Sequence, residues 1–548
     1  MATVLLNLDK IGVNLGGRQI LQGADLELQM GQRVGLVGAN GAGKSTLMKV
    51  ISAELDPDEG NVFRVSGLKF GRLEQEPIMD GTQTVLQETL TASPELTAVE
   101  KQLDELETAM SDPAVYENAA RLNRVMNQHS ELLGQFERLG GAQFESQAKR
   151  ALMQLGLDEK VWNRPVNVLS GGQKKLILLA KLIVQKPQLL LLDEPDNHLD
   201  VPSKRRLEKL LNAYQGCVLI ISHDRYLLDE VATHIAELDA GKVTLYHGNY
   251  TAFTTERELR RLRQQQMYVA QQKEIARIEA AIARFEKWAS MVIDERHIKQ
   301  ARSRRKMLDK MDKIESVEAA RKMTLELSGW RGSNKVIELV NVSKMLPDAT
   351  ILWDELNLIL WHGARVGLVG PNGAGKSMLL KQLLDPEGVD EGEIKIGPSS
   401  RIGYYAQEQE TLNMDSTLVD EIRAVASMTE GNAVAFLNRF LFDYDQVRDK
   451  VRNLSGGERS RLQLAQLVLQ QPNLLLLDEP TNNLDITSIE VLEQTMDEFV
   501  GTVLVISHDR YFLDQVVDQI IELRDGQLTT FVGGYTDYLA EIEKRKGK

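Results

Sequence analysis

Two copies of a phosphate-loop pattern constrain this chain more than any other feature of its sequence. The first copy, Gly38–Thr46, follows the strand-like run 33–37 and precedes a helix-like run over 46–51. A strand, a glycine-rich loop and a helix in that order direct main-chain N–H groups and the positive end of a helix at phosphate oxygens. A single match is compatible with an ordinary glycine-rich turn. The second copy, Gly370–Ser377, argues against that interpretation.

Each copy supplies the residue types that phosphate and magnesium require. The loop glycines bring main-chain groups close to phosphate, the lysine reaches the β- and γ-phosphates, and the hydroxyl after it holds Mg²⁺. The sequence therefore predicts two sets of nucleotide contacts, with Ser45 and Ser377 as metal ligands. The sets are Gly38, Asn40, Gly41, Gly43, Lys44, Ser45 and Thr46, and Gly370, Asn372, Gly373, Gly375, Lys376 and Ser377.

The chain is an internal duplication, because three residue spacings are equal in its two halves. Lys44 to Gln75 and Lys376 to Gln407 both span 31 residues. Ser170 to Asp193 and Ser455 to Asp478 both span 23 residues. Glu194 to His223 and Glu479 to His508 both span 29 residues. A chain of 548 residues is also too long for a single core. We predict one domain used twice, over residues 1–248 and 334–548.

The two halves differ in length at one interval. Between Gln75 and Ser170 the first copy carries 47 residues more than the second copy has between Gln407 and Ser455. Apolar residues at steps of three and four predict an antiparallel helical hairpin, an arm inserted at about 82–160. Its first helix is mostly acidic, which favours a protein contact or a solvated surface over RNA binding.

Residues 249–333, between the two domains, have the periodicity of a long helical hairpin. A helix over 256–290 would be on the order of 50 Å long, and an apolar seam predicts a helix that returns along it. The run 296–306 lies near the turn and contains no acidic residue. A solvated surface is the usual role of a charge run, but a basic run without an acidic residue at the tip of a long projection favours binding to a phosphate backbone. The predicted nucleic-acid contacts are Arg296, Lys299, Arg302, Arg304, Arg305 and Lys306.

The apolar runs 188–192 and 474–477 each end in an aspartate followed by a glutamate. Buried parallel strands deliver such carboxylates to the sheet edge where ligands bind. Capping carboxylates and lone histidines after strands are often structural, but their duplication beside a phosphate loop favours chemistry. We predict Asp193 and Asp478 as Mg²⁺ ligands, Glu194 and Glu479 as catalytic groups that polarise water, His223 and His508 as their catalytic supports, and Gln75 and Gln407 as contacts of Mg²⁺ and nucleotide.

A second phosphate cradle occurs in each half. Ser170-Gly171-Gly172 and Ser455-Gly456-Gly457 both precede an amphipathic run. A serine and two glycines at a helix N-terminus provide a hydroxyl and main-chain amides for phosphate. Each half already has a phosphate loop, so this cradle is surplus unless it closes over nucleotide bound by the other half. The predicted contacts are Ser170, Gly172, Ser455 and Gly457.

The composition and charge of the chain limit the classes of protein to which it can belong. The chain is 43% hydrophobic and 26% charged, with a net charge of −14 that argues against general coating of nucleic acid. Its start lacks a signal-peptide pattern, and no apolar run approaches the roughly 20 residues that span a bilayer. The single cysteine, Cys217, lies in an apolar strand-like run. These features predict a cytoplasmic location.

These residues resemble the ATP-binding-cassette superfamily, and the inserted arm and long linker resemble its ABC-F family in particular. The resemblance covers essentially the whole chain. It implies an α/β fold with two P-loop cassettes, each with an α/β core and a helical subdomain, joined by a long α-helical hairpin. It further implies an ATPase that uses ATP and Mg²⁺, a monomer whose cassettes pair with each other, and no membrane-spanning partner. Members of the family bind the ribosome near its tRNA exit site, with the linker towards peptidyl-tRNA, so ribosomal RNA and tRNA are the implied partners.

The resemblance also implies that two ATP molecules lie between head-to-tail cassettes. One site would join Lys44, Ser45, Gln75, Asp193, Glu194 and His223 to Ser455 and Gly457, and the other Lys376, Ser377, Gln407, Asp478, Glu479 and His508 to Ser170 and Gly172. Asp200 and Asp485 would couple the two sites.

The chain departs from the family pattern at a few positions. Leu15 and Leu346 align where an aromatic residue often stacks on adenine, and Met378 replaces the usual hydroxyl after Ser377. Asp196 stands where the second half has Thr481. These departures predict two unequal sites. Because neither site lacks its glutamate, we expect both to hydrolyse ATP.

Two other functions remain open from the sequence. A fused nucleotide-binding subunit of a membrane transporter would share the cassettes, but it gives no reason for a basic hairpin between them. A DNA-associated ATPase of the same superfamily could use that hairpin. Neither a cysteine cluster of the zinc-binding type nor a basic C-terminal extension supports the DNA alternative.

Overall fold

The computed structural model describes most of the chain at the level of individual residues. The described residues are 3–73, 79, 81–111, 113–116, 118–197, 199–291, 295–309, 323, 325–327, 329–346, 351–371, 373–406, 412–482 and 484–546.

The N-terminal unit contains nine strands and ten α-helices among the described residues. The strands are β1 (Val4–Leu15), β2 (Arg18–Gln29), β3 (Arg33–Val37), β4 (Glu59–Arg64), β5 (Phe70–Leu73), β6 (Leu189–Asp193), β7 (Cys217–Ile221), β8 (His234–Asp239) and β9 (Lys242–His247). The helices are α1 (Lys44–Ile51), α2 (Val85–Leu90), α3 (Pro94–Met110), α4 (Pro113–Tyr116), α5 (Ala119–Arg138), α6 (Gly141–Gln154), α7 (Glu159–Trp162), α8 (Gly171–Gln185), α9 (Val201–Ala213) and α10 (Arg225–Val231).

Two long helices, α11 (Tyr250–Met291) and α12 (Glu295–Asp309), separate this unit from a C-terminal unit. The strands of that unit are β10 (Lys335–Met345), β11 (Ile351–Trp361), β12 (Arg365–Val369), β13 (Glu391–Ile396), β14 (Ile402–Tyr405), β15 (Leu474–Asp478), β16 (Thr502–Ile506), β17 (Gln519–Arg524) and β18 (Gln527–Val532). Its helices are α13 (Lys376–Leu384), α14 (Leu418–Val425), α15 (Glu430–Arg439), α16 (Gly456–Gln470), α17 (Ile486–Glu498), α18 (Arg510–Val516) and α19 (Tyr535–Lys546).

The two units have the same topology, which confirms the predicted pair of α/β cassettes. The strand order is β5-β6-β7-β3-β8-β9 in the first unit and β14-β15-β16-β12-β17-β18 in the second. All neighbours are parallel except the last pair in each sheet. Every residue of β6, β7, β15 and β16 is buried, as expected for parallel strands covered on both faces. Each unit also has a three-stranded antiparallel sheet, β2-β1-β4 or β11-β10-β13.

The predicted insertion of about 82–160 contains two kinds of helix. Helices α2 and α6 pack against α8, so they belong to a helical subdomain beside the sheet. Helices α3 and α5 pack against each other and form the arm. The apolar seam of α3 is buried at Leu96, Val99 and Leu103, and His129 of α5 lies 3.3 Å from Glu107 of α3.

The linker is a helical hairpin, as predicted. Its first helix contains 42 residues, or about 63 Å of helix, and α12 packs back along it. The described buried residues in this part of the first helix are Ile278, Ala281 and Ile282. The helix starts at residue 250 rather than 256, because Tyr250 and Phe253 belong to the N-terminal core. In the described part of the chain, every helix is too short or too polar to cross a membrane.

Candidate nucleotide sites between the two halves

Both phosphate loops lie at the carboxyl end of a central strand and hold their lysines in the same way. Lys44 Nζ donates to the carbonyl oxygens of Gly38 at 2.7 Å and Ala39 at 3.0 Å. Lys376 Nζ donates to those of Gly370 at 2.9 Å and Pro371 at 3.0 Å. Burial lowers the pKa of both lysines, against the opposing effect of nearby carboxylates. Each ammonium is thus held over its loop.

The loop geometry requires glycine where the sequence has it. Gly38 and Gly370 have φ angles of 157° and 156°, and a Cβ atom at either would lie within 2.5 Å of a carbonyl oxygen, that of Leu238 or Leu523. Such contacts are shorter than real Cβ atoms make, so any other residue would displace the loop from its neighbouring strand.

A hydroxyl and a carboxylate meet beneath the first loop. Ser45 Oγ donates to Asp193 Oδ2 at 3.3 Å. Burial raises the pKa of Asp193 above its ordinary value, and the hydrogen bond from Ser45 and the charges of Arg72 and Lys44 oppose that rise. The corresponding residues of the second half, Ser377 and Asp478, line one cavity.

The two glutamates predicted to be catalytic share an uncommon backbone conformation. Glu194 has φ 48° and Glu479 has φ 51°, both in the left-handed region. Their N–H groups donate to Ile221 O and Ile506 O, each at 2.9 Å, across the neighbouring strands. Burial raises the pKa of each glutamate to about 7. These are carboxyl groups whose protonation changes near neutral pH.

A neutral histidine faces each glutamate. His223 Nε2 lies 3.6 Å from Glu194 Oε1, and His508 Nε2 lies 3.5 Å from Glu479 Oε1. Burial lowers the pKa of His223 to about 4 and that of His508 to about 3, so both imidazoles are uncharged at pH 7. A neutral imidazole can donate one hydrogen bond and accept another.

The halves combine their predicted site residues crosswise, in two cavities. The first has a volume of about 570 Å³ and is lined by the first phosphate loop together with the signature serine and glycines of the second half: Asn40, Gly41, Gly43, Lys44, Ser45, Thr46, Asp193, Glu194, Ser455 and Gly457. The second, of about 690 Å³, has the reverse arrangement: Gly373, Gly375, Lys376, Ser377, Asp478, Glu479, His508, Ser170 and Gly172.

The signature serines have a structural role as well. Ser170 caps α8 by accepting from Gln173 N at 3.3 Å, and Ser455 caps α16 by accepting from Glu458 N at 3.4 Å. Both helices therefore present their N-terminal amides to a cavity that contains the phosphate loop of the other half. The same serines therefore serve as helix caps and lie where the phosphate cradle was predicted.

Direct contacts join the halves around the cavities. Asn40 N donates to Asp485 Oδ2 at 3.0 Å, which connects the first phosphate loop to the loop before α17. Asp200 has the matching position before α9 and accepts from Ser203 N at 3.0 Å. Charged pairs related by the duplication flank these loops: Arg225 with Glu493, and Arg510 with Glu208.

Some predicted residues lie outside the described part of the chain, namely Gln75, Gln407 and Asn372. The two leucines aligned with an adenine-stacking aromatic differ in position: Leu346 lines the second cavity, whereas Leu15 is 44% exposed. Met378 also lines the second cavity.

Three charged cavity residues escaped the sequence analysis. Arg461 and Glu458 of α16 line the first cavity, and Lys204 of α9 lines the second. Comparing the two halves position by position would have found them, since Leu176, Gln173 and Ile489 stand at the matching places.

The predicted basic run lies on α12, directly after the turn of the linker hairpin. Arg296 belongs to this helix, and its side chain lies outside the described part of the structure. The remaining predicted cations are all exposed: Lys299, Arg302, Arg304, Arg305 and Lys306.

Comparisons with protein families agree with this architecture. A family model described as "ABC transporter" matches residues 21–197 and again 353–482. A second model with the same description matches residues 236–327, across the linker.

Curated relatives extend over nearly the whole chain. The energy-dependent translational throttle protein EttA of Haemophilus influenzae is 36% identical over 95% of this chain and 92% of its own. The EttA of Escherichia coli K12 is 35% identical over 96% and 93%. The putative ATP-binding protein YdiF of Bacillus subtilis is 36% identical over 98% and 83%.

Solved structures share the fold at lower identity. An archaeal ribosome recycling factor, aABCE1, in complex with the stalk protein aP1, has a TM-score of 0.58 and covers 97% of this chain and 92% of its own. A structure titled RNase-L Inhibitor has a TM-score of 0.56 over 97% and 93%. Both are 18% identical to the chain, so they show the fold alone.

Proposed function

The chain belongs to the ABC-F family of the ATP-binding-cassette superfamily and is an ATPase, and from this premise we propose that it binds the ribosome near the tRNA exit site. There it modulates translation through ATP-dependent closure of its two cassettes, with ribosomal RNA and tRNA as contacts of the linker and arm. It acts in the cytoplasm as a monomer without a membrane-spanning partner.

The residues around each cavity fit ATP with Mg²⁺. Lys44 and Lys376 donate to main-chain carbonyls of their own loops, and an ammonium in that position can turn to the β- and γ-phosphates. Ser45 and Asp193 form the hydroxyl–carboxylate oxygen set that Mg²⁺ prefers. Ser377 and Asp478 are their counterparts, and Gln75 and Gln407 remain predicted contacts. Bound Mg²⁺ would neutralise charge on the transferred phosphate.

The chain's own groups account for activation of water. Glu194 and Glu479 have a pKa of about 7, which suits a group that takes a proton from the attacking water at neutral pH. His223 and His508 are neutral and within 3.6 Å of these carboxylates. We assign the glutamates as catalytic bases and the histidines as donors to the γ-phosphate.

The crosswise cavities are the observation that carries the clamp mechanism. Each cavity needs Ser170 or Ser455 from the opposite cassette, so nucleotide in both sites favours the docked arrangement. The linker is anchored at both ends, with Tyr250 in the N-terminal core and Met323 and Leu325 in the C-terminal core. Opening the cassettes would therefore move the hairpin.

Two observations support the ribosome as the partner. The relatives named translational throttle proteins match the chain at 35–36% identity over more than nine-tenths of their length. The exposed cations of α12 provide a surface suited to a phosphate backbone. An ATP-dependent affinity for the particle would couple hydrolysis to release.

Co-sedimentation with ribosomes tests the proposal, using the double variant Glu194→Gln, Glu479→Gln. Loss of both carboxylates slows hydrolysis while the phosphate loops stay intact, so the variant accumulates in the docked form. We expect retention on 70S ribosomes with ATP and none with ADP. Retention only on membranes or on DNA would contradict the proposal and favour a transporter subunit or a DNA-associated ATPase.

A second comparison tests the linker surface. Replacing Arg302, Arg304 and Arg305 by glutamine should weaken ribosome binding and reduce its dependence on salt concentration, because fewer counterions are released. The matched control replaces three exposed lysines of the cassettes, Lys69, Lys242 and Lys395. Equal weakening by both triple variants would contradict a specific role of the linker.

A further inference from the structure

One buried lysine breaks the symmetry of the two ATP sites. Lys204 lies in the first turn of α9 and is 6% exposed. Its Nζ donates to Asp224 Oδ2 of the same cassette at 2.9 Å and to the main-chain oxygen of His508, in the other cassette, at 3.1 Å. It lines the second cavity, which contains Lys376 and Glu479.

The duplication shows what this lysine adds. In the second half the matching position is Ile489, which is 1% exposed and carries no hydrogen-bond donor in its side chain. Asp196, which accepts from Ser222 Oγ at 2.8 Å, has Thr481 as its counterpart, at 3.3 Å from Ser507 Oγ. The N-terminal cassette thus has an additional carboxylate and an additional ammonium where the C-terminal cassette has a hydroxyl and an alkyl group.

The additional charges belong together energetically. Burial acts to lower the pKa of Lys204, but Asp224 and Asp196 outweigh it and hold the pKa above its ordinary value, so the ammonium stays charged. Asp509 of the other cassette lies in the same buried group. An unpaired charge in such a place is strongly unfavourable, so Asp196 and Lys204 form one unit.

The contact with His508 leads directly to the catalytic glutamate of the second site. The main-chain N–H of His508 donates to Glu479 Oε2 at 3.1 Å, and its Nε2 lies 3.5 Å from Glu479 Oε1. In the first site, Glu194 Oε2 accepts from the side chain of Asn197. One residue, His508, therefore accepts a hydrogen bond from the opposite cassette and donates one to Glu479.

We propose that Lys204 is a positioning residue of the second ATP site, which fixes the loop of His508, and through it Glu479, when the cassettes are docked. The docked state would then set the hydrolytic geometry of the second site more strongly than that of the first. The inference rests on the ATP sites proposed above and is independent of the ribosome.

The experiment measures each site separately. Glu194→Gln leaves only the second site able to hydrolyse ATP, and Glu479→Gln leaves only the first. Into each background we place Asp196→Thr with Lys204→Ile, which reproduces the pattern of the C-terminal cassette and leaves Asp224 its contact with Arg510 at 3.9 Å. We expect kcat to fall about tenfold in the Glu194→Gln background, equivalent to about 1.4 kcal/mol, with KM nearly unchanged. In the Glu479→Gln background kcat should fall much less, because Lys204 contacts that loop at the side chain of Asp224 rather than at the main chain of the histidine.

Two comparisons separate positioning from a general structural effect. Lys204→Arg keeps a cationic donor and should restore most of the rate in the Glu194→Gln background. An equal fall of kcat in both backgrounds, or no fall in either, would overturn the inference. Absence of hydrolysis before Lys204 is changed would instead count against the assigned catalytic glutamates.

Hydrogen exchange provides a readout that needs no hydrolysis. With ATP bound to the Glu194→Gln, Glu479→Gln protein, Asp196→Thr with Lys204→Ile should speed exchange of main-chain amides in 507–512. Exchange in 222–227 should speed as well, because Asp196 and Lys204 bond to Ser222 and Asp224 there, whereas exchange in β15 should stay slow. Unchanged exchange in 507–512, or faster exchange in β15 as well, would overturn the inference even if the rates of hydrolysis agreed with it.

Discussion

At the scale of single residues, the two catalytic glutamates have a conformation that their side chain disfavours. A left-handed φ near 50° costs a residue with a Cβ atom about 1–2 kcal/mol. Hydrogen bonds to Ile221 and Ile506 hold Glu194 and Glu479 there, immediately after a buried strand. The turn directs each carboxylate towards its histidine, so backbone strain contributes to the geometry of the site.

This strain predicts an unusual order of stability among variants that all lack the carboxylate. Glu479→Gly should be more stable than Glu479→Ala by about 1 kcal/mol, since glycine adopts the left-handed region without a Cβ clash. The midpoint of thermal unfolding should then be about 2–4 °C higher for a domain of this size.

The control for this prediction is Gln494, an exposed residue inside α17. There Gln494→Ala should be the more stable variant, because glycine is disfavoured in a helix by about 1 kcal/mol. Finding alanine more stable than glycine at both positions would show that Glu479 is not strained.

At the scale of elements, the linker depends on a narrow apolar seam. Much of α11 between residues 254 and 277 is exposed, and the described buried side chains near its far end are Ile278, Ala281 and Ile282. A helix this polar gains most of its stability from packing against a partner. The position of α12, with its basic surface, therefore depends on this seam.

Shortening one seam residue should release α12 without disturbing the cassettes. Ile282→Ala should cost the hairpin about 2–5 kcal/mol and speed amide exchange in 295–309, while exchange in β6 and β15 stays slow. Met267→Ala is the matched control, because Met267 is 62% exposed and its loss should change nothing measurable. Protected amides in 295–309 of the Ile282→Ala variant would contradict this account.

Sequence reasoning worked where the determinants are local. Phosphate loops, buried strands and capping serines such as Ser170 follow rules that span a few residues, and the duplication confirmed the pattern by repetition. Sequence reasoning placed the start of the linker helix at 256 instead of 250, because the periodicity of the sequence does not reveal that Tyr250 packs into the N-terminal core. Sequence reasoning also missed Lys204, since the carbonyl oxygen that accepts its hydrogen bond belongs to His508, 304 residues away in the chain.

At the scale of the whole molecule, two buried ion pairs related by the duplication join the cassettes. Arg225 lies 3.1 Å from Glu493, and its guanidinium is 4.7 Å from the ring centre of Tyr511. Arg510 pairs with Glu208 and lies 4.9 Å from the ring centre of Tyr226. Docking therefore removes four charges from water in complementary pairs, and its free energy depends on keeping both members of each pair.

The last prediction concerns these pairs. Arg225→Met leaves Glu493 buried without its partner and should weaken docking by about 3–5 kcal/mol, whereas Arg225→Met with Glu493→Met should restore most of it. Spin labels on cysteines introduced at the exposed positions Asn212 and Asp497 would report the docked fraction with ATP in the Glu194→Gln, Glu479→Gln protein. Labelling would be selective, because the native cysteine, Cys217, is buried.

The matched control is Lys395→Met, which breaks an exposed ion pair with Glu393 and should leave the docked fraction unchanged. A double Arg225, Glu493 variant as open as Arg225→Met alone would mean that the contact of Arg225 with Tyr511, rather than the ion pair, holds the cassettes together. Partial restoration would instead show that the cost of burying charge at the interface limits docking. In that case the closed state needs both nucleotides to offset the cost of desolvating the interface.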